Sequence, residues 1–120
     1  MQNETKTNTV HLSESKDLEN ENTLYYNISH VVVRWDPRKA AGNIKKHGVS
    51  FEEASTVLLA RNTIEIEDTR HSEQRFIIIG FSIRPRLLTV VYAHRHEDEV
   101  RIISARKATK HEAKVYEERL

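Results

Sequence analysis

At Asn62 the spacing of apolar residues changes. Upstream, Phe51, Ala54, Val57 and Leu58 recur at helical intervals; downstream, Ile64 and Ile66 alternate with Glu65 and Glu67. The two periods cannot share one kind of backbone, because a helix brings residues three and four apart onto one face and a strand brings every second residue. The chain is therefore predicted to be α+β, with helices before Asn62 and a sheet after it. The upstream helix opens at Ser50-Phe51-Glu52-Glu53, a capping box in which Ser50 and Glu53 satisfy each other's backbone donors. An earlier helix follows Asp36-Pro37, carries Ala40, Ala41 and Ile44 on one side and stops at Gly48. Before it, the β-branched and aromatic run from Ile28 to Trp35 reads as one strand. After Thr63 to Glu67, three more strands are predicted at Arg75 to Ser82, Leu87 to His96 and Val100 to Arg106. Their short links imply an antiparallel meander. A last helix starts at Thr109, in a second capping box with Glu112, and buries Ala113, Tyr116 and Leu120.

A chain of 120 residues has room for one domain. Residues 1–25 are polar and acidic and read as a flexible N-terminal tail, with a short helix at Ser13 to Glu21 as the one local alternative; residues 26–120 form the domain. Residues 1–30 carry two lysines against five acidic side chains, which leaves 17 basic against 13 acidic in residues 31–120. The folded part is thus mildly basic, which supports nucleic-acid binding only weakly. The absence of cysteine excludes disulfides, thiolate metal sites and a thiol nucleophile. No segment approaches the ~20 apolar residues of a membrane span, and the start lacks a secretion signal, so a cytoplasmic protein with no membrane partner is expected.

Two blocks of residues resemble the BrnT family of toxins: Trp35-Asp36-Pro37, Lys39-Ala40-Ala41, Asn43, Lys46-His47-Gly48-Val49 and Phe51-Glu52-Glu53-Ala54, followed in order by Arg101 to Thr109. Glu73 with Arg75, Gly80, Tyr92, Arg95, Glu112 and Tyr116 fit the same pattern, so the resemblance spans about Val33 to Leu120. It implies a RelE-like fold, with an N-terminal strand and two helices, a curved antiparallel sheet carrying helices on one face, a C-terminal helix and a basic groove for RNA. It further implies a toxin of a type II toxin-antitoxin system: a metal-independent endoribonuclease with no cofactor, which inhibits translation and is held by a BrnA-type ribbon-helix-helix antitoxin, its only route to DNA. The Glu97-Asp98-Glu99 turn departs from the tighter family loop and leaves the strand register at Arg95 open.

Cleaving RNA without a metal needs a base for the 2′-hydroxyl, cations for the charge that develops on phosphorus, and an acid for the leaving oxygen. His47 is a candidate acid or base, or a helix cap favoured by the dipole; Lys46 and Lys45 are phosphate contacts or dipole-favouring surface charges. Glu73 and Arg75 form either a base with its orienting cation or a surface pair. Arg95, Arg101, Ser104 and Arg106 are candidate stabilisers, and strict alternation sets Ser104 and Arg106 on one face with Arg101 and Lys107 on the other, so that only one set lines a groove. Lys107 and Tyr116 are candidate RNA contacts, Tyr116 as a core residue of the last helix first and through a hydroxyl at the groove edge second; Trp35 is a base-stacking or buried residue. His94 and His96 lack a clear third ligand, and no metal site is expected. The competing functional readings are a non-catalytic nucleic-acid- or protein-binding module and a ParE-like gyrase poison, since a fold does not fix a function.

Overall fold

Asp36 and Pro37 begin the first helix as predicted: the Asp36 side chain accepts from the Arg38 amide at 2.8 Å and Pro37 takes the first turn, where no donor is needed. Helix α1 (Pro37–His47) ends at Gly48, which adopts φ 71° and donates to the Ile44 carbonyl. It buries Ala40 and Asn43, whereas Ala41 and Ile44, expected in its buried stripe, face solvent. Ser50 caps α2 (Phe51–Leu59) by accepting from the Glu53 amide, but the Glu53 carboxylate does not return to complete the box; it turns inward to Ser82 and Arg86.

The computed structural model describes residues 11–13, 24–28, 31–96 and 98–120. Among these, strands β1 (His11–Ser13), β2 (Leu24–Ile28), β3 (Val31–Trp35), β4 (Ile64–Asp68), β5 (Arg75–Phe81), β6 (Leu87–His96) and β7 (Glu99–Lys107) form one sheet in the order β1-β2-β3-β7-β6-β5-β4. The run from Ile28 to Trp35 is not one strand: β2 and β3 pair antiparallel with Ile28 opposite Val31. Most of the predicted tail lies outside the described residues, as does the predicted helix at Ser13 to Glu21 apart from Ser13; within the tail, His11–Ser13 and the start of β2 are paired strand.

The β4 to β7 meander is antiparallel as expected. The sheet as a whole is mixed, because β3 joins β7 in parallel, with Val33 opposite Val100 and Arg34 opposite Arg101. On one face, Val33, Trp35, Ile78, Leu88, Val90, Ile102 and Ala105 close a core with Phe51, Ala54 and Val57 of α2 and Ala40 of α1. Each large side chain buried there contributes about 1.5–3 kcal/mol. Gly80 lets α2 approach: a Cβ there would meet Thr63 Cγ2 at 2.7 Å and Val57 Cγ1 at 3.3 Å.

Helix α3 (Lys110–Arg119) lies on the other face, a departure from helices on one side only. Its capping box is complete, and Tyr116 packs with Ile64, Ile79 and Leu87. Leu120, expected in its buried stripe, is exposed.

Candidate active site on the open sheet face

Cross-strand register collects the cations. Arg75 of β5 lies opposite Ala93 of β6, and Ala93 opposite Arg101 of β7, so the three share one row on the face away from α1 and α2. The parallel pairing adds Arg34 beside Arg101. Residue types alone gave no sign of Arg34, because its position depends on the pairing of β3 with the distant β7.

Acidic partners tie the row together. Glu73, just before β5, accepts from Arg75 Nε at 2.9 Å and from Arg101 Nη2 at 3.4 Å, and Glu99 pairs with Arg34 at 3.0 Å. The side chains of Glu73, Arg75 and Arg101 stay 35%, 27% and 34% exposed, so the cluster is open to a ligand. The Arg75 hydrogen bond, helped by the charges of Arg101 and Arg95, holds the Glu73 carboxyl below the usual glutamate range. Arg95 is exposed at a register shift between His94 and His96, close enough to Glu73 for that charge effect.

A second register shift resolves the parity of β7. Val91 faces Ser104 while Tyr92 faces Ile102, so Ile103 is an extra residue. Beyond it the alternation is reversed, and Ser104 and Arg106 fall on the same face as Arg101 rather than the opposite one. Lys107 is exposed opposite Leu88, on the side of α1 and α2.

Sharing a face does not make the arginines equivalent. Arg106 grips Glu112 with two bonds of 2.8 Å, and the same carboxylate accepts from Thr89 and the Thr109 amide. These bonds, that from Arg106 foremost, bring Glu112 down to about 2. Arg106 therefore lashes α3 to the sheet. The Tyr116 hydroxyl donates to the Asn62 carbonyl at 2.7 Å, its ring buried.

Lys45, Lys46 and His47 stand apart from this cluster. The Gly48 carbonyl accepts from Arg86, which places the end of α1 over the Leu87 end of β6, about 20 Å along the strand from Ala93 and on the other face. That region holds a network beyond the sequence reading: buried Glu53 accepts from Arg86 and Ser82, and the Arg86 hydrogen bond holds its carboxyl below the ordinary value. Trp35 is core, edge-on to Phe51. His94 packs edge-on to Phe76.

Fold and site together define a small α+β protein whose mixed sheet carries two helices on one face and an arginine cluster on the other. The family model described as the ribonuclease toxin BrnT of type II toxin-antitoxin systems matches residues 35–112, and the chain belongs to that family. The crystal structure of the Brucella abortus ribonuclease toxin BrnT is similar in fold, with a TM-score of 0.50 and 23% identity over 63% of this chain and 94% of that one. No curated protein matches the sequence. The family match ends at Glu112 and begins at Trp35, so β1, β2 and most of β3 and α3 lie outside it.

Proposed function

We propose that this protein is a cytoplasmic endoribonuclease that arrests translation by cleaving RNA without a metal ion, and that a BrnA-type ribbon-helix-helix antitoxin restrains it. The observation that carries this reading is the single carboxylate of Glu73 shared by arginines from two strands on an open face. A phosphodiester offers those guanidiniums the same kind of charged, bidentate acceptor. With the phosphate seated on the arginines, the ionised Glu73 carboxylate takes the proton of the 2′-hydroxyl. The 2′-oxygen then bonds to phosphorus, the bond to the 5′-oxygen breaks, and that oxygen takes a proton from solvent, leaving a 2′,3′-cyclic phosphate and a 5′-hydroxyl. Arg75, Arg101 and Arg95 stabilise the charge that grows on the phosphoryl oxygens, and Ser104 and Arg34 border the same surface.

Purified protein incubated with end-labelled single-stranded RNA and a chelator tests the proposal. Wild type is expected to cleave, and Arg75→Ala and Arg101→Ala to lose about 10²-fold or more in rate with an unchanged circular-dichroism spectrum. Equal cleavage by both variants would overturn it. Salt-sensitive RNA binding without cleavage would leave a binding module, and inhibited supercoiling with RNA intact would indicate a gyrase poison.

A further inference from the structure

Ala93 is fully buried yet belongs to neither apolar cluster. Its direct neighbours across both flanking strands are Arg75 and Arg101. Strands lie about 4.8 Å apart, so the two arginine backbones are separated by roughly 10 Å, with β6 between them. Their guanidinium groups nevertheless meet on one carboxylate, that of Glu73. Glu73 lies on the β5 side, so its bond with Arg101 spans β6 in the stretch where Ala93 stands, and a longer side chain at 93 would enter that span. Alanine is also a poor strand former, set here directly after Thr89, Val90, Val91 and Tyr92, so strand propensity does not account for it.

We infer that Ala93 is the positioning residue of this site: its lone methyl group is the floor of a seat in which Arg75 and Arg101 grip the same tetrahedral oxyanion. The inference rests on the proposed RNA-cleaving reading for its ligand, a phosphodiester, but not for its geometry. A bulkier floor leaves both arginines in place and separates their head groups, so that each meets solvent or a different anion.

The test compares Ala93→Ser, Ala93→Val and Ala93→Leu in two measurements. In RNA cleavage, Ala93→Ser is expected to stay near wild type and Ala93→Leu to lose on the order of 10²-fold, chiefly in kcat, as for a misplaced catalytic group. In the second, a 2′-deoxy dinucleotide, which has no nucleophile, is titrated while the arginine side-chain NMR signals are followed. In wild type and Ala93→Ser the Arg75 and Arg101 signals should move together with one Kd. In Ala93→Leu they should separate, and Kd should rise at least about tenfold, the equivalent of one lost charged hydrogen bond. Ala93→Val, a smaller intrusion into the same strand, replaces Ala93→Leu if the latter does not fold. Joint movement with unchanged Kd in the bulky variants overturns the inference. Wild type that binds the dinucleotide without cleaving RNA overturns the proposed activity instead, and the titration still decides the role of Ala93.

Discussion

Beyond Arg101, no described strand pairs with β7 on its β3 side, and a single side chain takes over. Asn43 accepts from the Ala105 amide at 3.2 Å and donates to the Ala105 carbonyl at 2.8 Å and the Val49 carbonyl at 2.9 Å, all buried. One amide group thus completes a strand edge and fixes the α1–α2 corner to the sheet. Asn43→Ala strands these buried backbone groups, and a loss of about 3 kcal/mol is expected, read as a lower urea midpoint with unchanged slope. Asn43 stood in the family pattern, but nothing in its neighbourhood disclosed this role; only its contact with a residue 62 positions away does so. The arginines teach a related lesson. Arg75 and Arg106 are both bound to glutamates, yet Glu73 is left open to a ligand while Glu112 is saturated by four donors. Composition cannot distinguish the two arrangements, because each depends on what else reaches the carboxylate.

At the level of elements, α3 is held by charge as much as by apolar contact, since Tyr116 is its one buried residue. Glu112 sits at about 2 in the folded chain against an ordinary value of 4.5. A carboxylate depressed in this way stabilises the fold above about pH 4.5 and loses its contribution as pH falls toward 2. Glu112→Gln should therefore cost about 2 kcal/mol at neutral pH and show a flatter stability profile between pH 4.5 and 2, followed by thermal melts across that range. The helices, their caps and the order of the last four strands were legible in the sequence, because they depend on local spacing and on residues such as Asp36, Gly48 and Thr109 that act on their own neighbours. Three features were not. The extra residue at Ile103 leaves no mark in an apolar run, yet it decides that Arg101, Ser104 and Arg106 share a face. The parallel match of β3 with β7 joins distant segments, and the side on which α3 docks follows from Thr89 and Arg106 reaching Glu112.

For the whole molecule, the sheet separates two duties. One face is closed by α1 and α2 over the core; the other, where α3 leaves it uncovered, carries Arg34, Arg75 and Arg101 in a row with Arg95 nearby. Three or four such contacts to a single strand should release a corresponding number of counterions. The logarithm of RNA affinity is thus expected to fall against the logarithm of salt with a slope of about −2 to −3, shrinking by roughly 0.7 for each arginine replaced. A slope near zero in a filter-binding series would show that the row does not meet phosphate.

The strand that bears Arg101 is the last to be made and yet lies between β3 and β6. A ribosome must deliver nearly the entire domain before that vacancy in the middle of the sheet can be filled, and until then Arg75 has no counterpart across Ala93. On the proposed reading, a half-synthesised copy therefore lacks the paired guanidiniums that would hold a phosphate, and the interval between the exit of β3 and that of β7 is time in which a restraining partner can already be at hand.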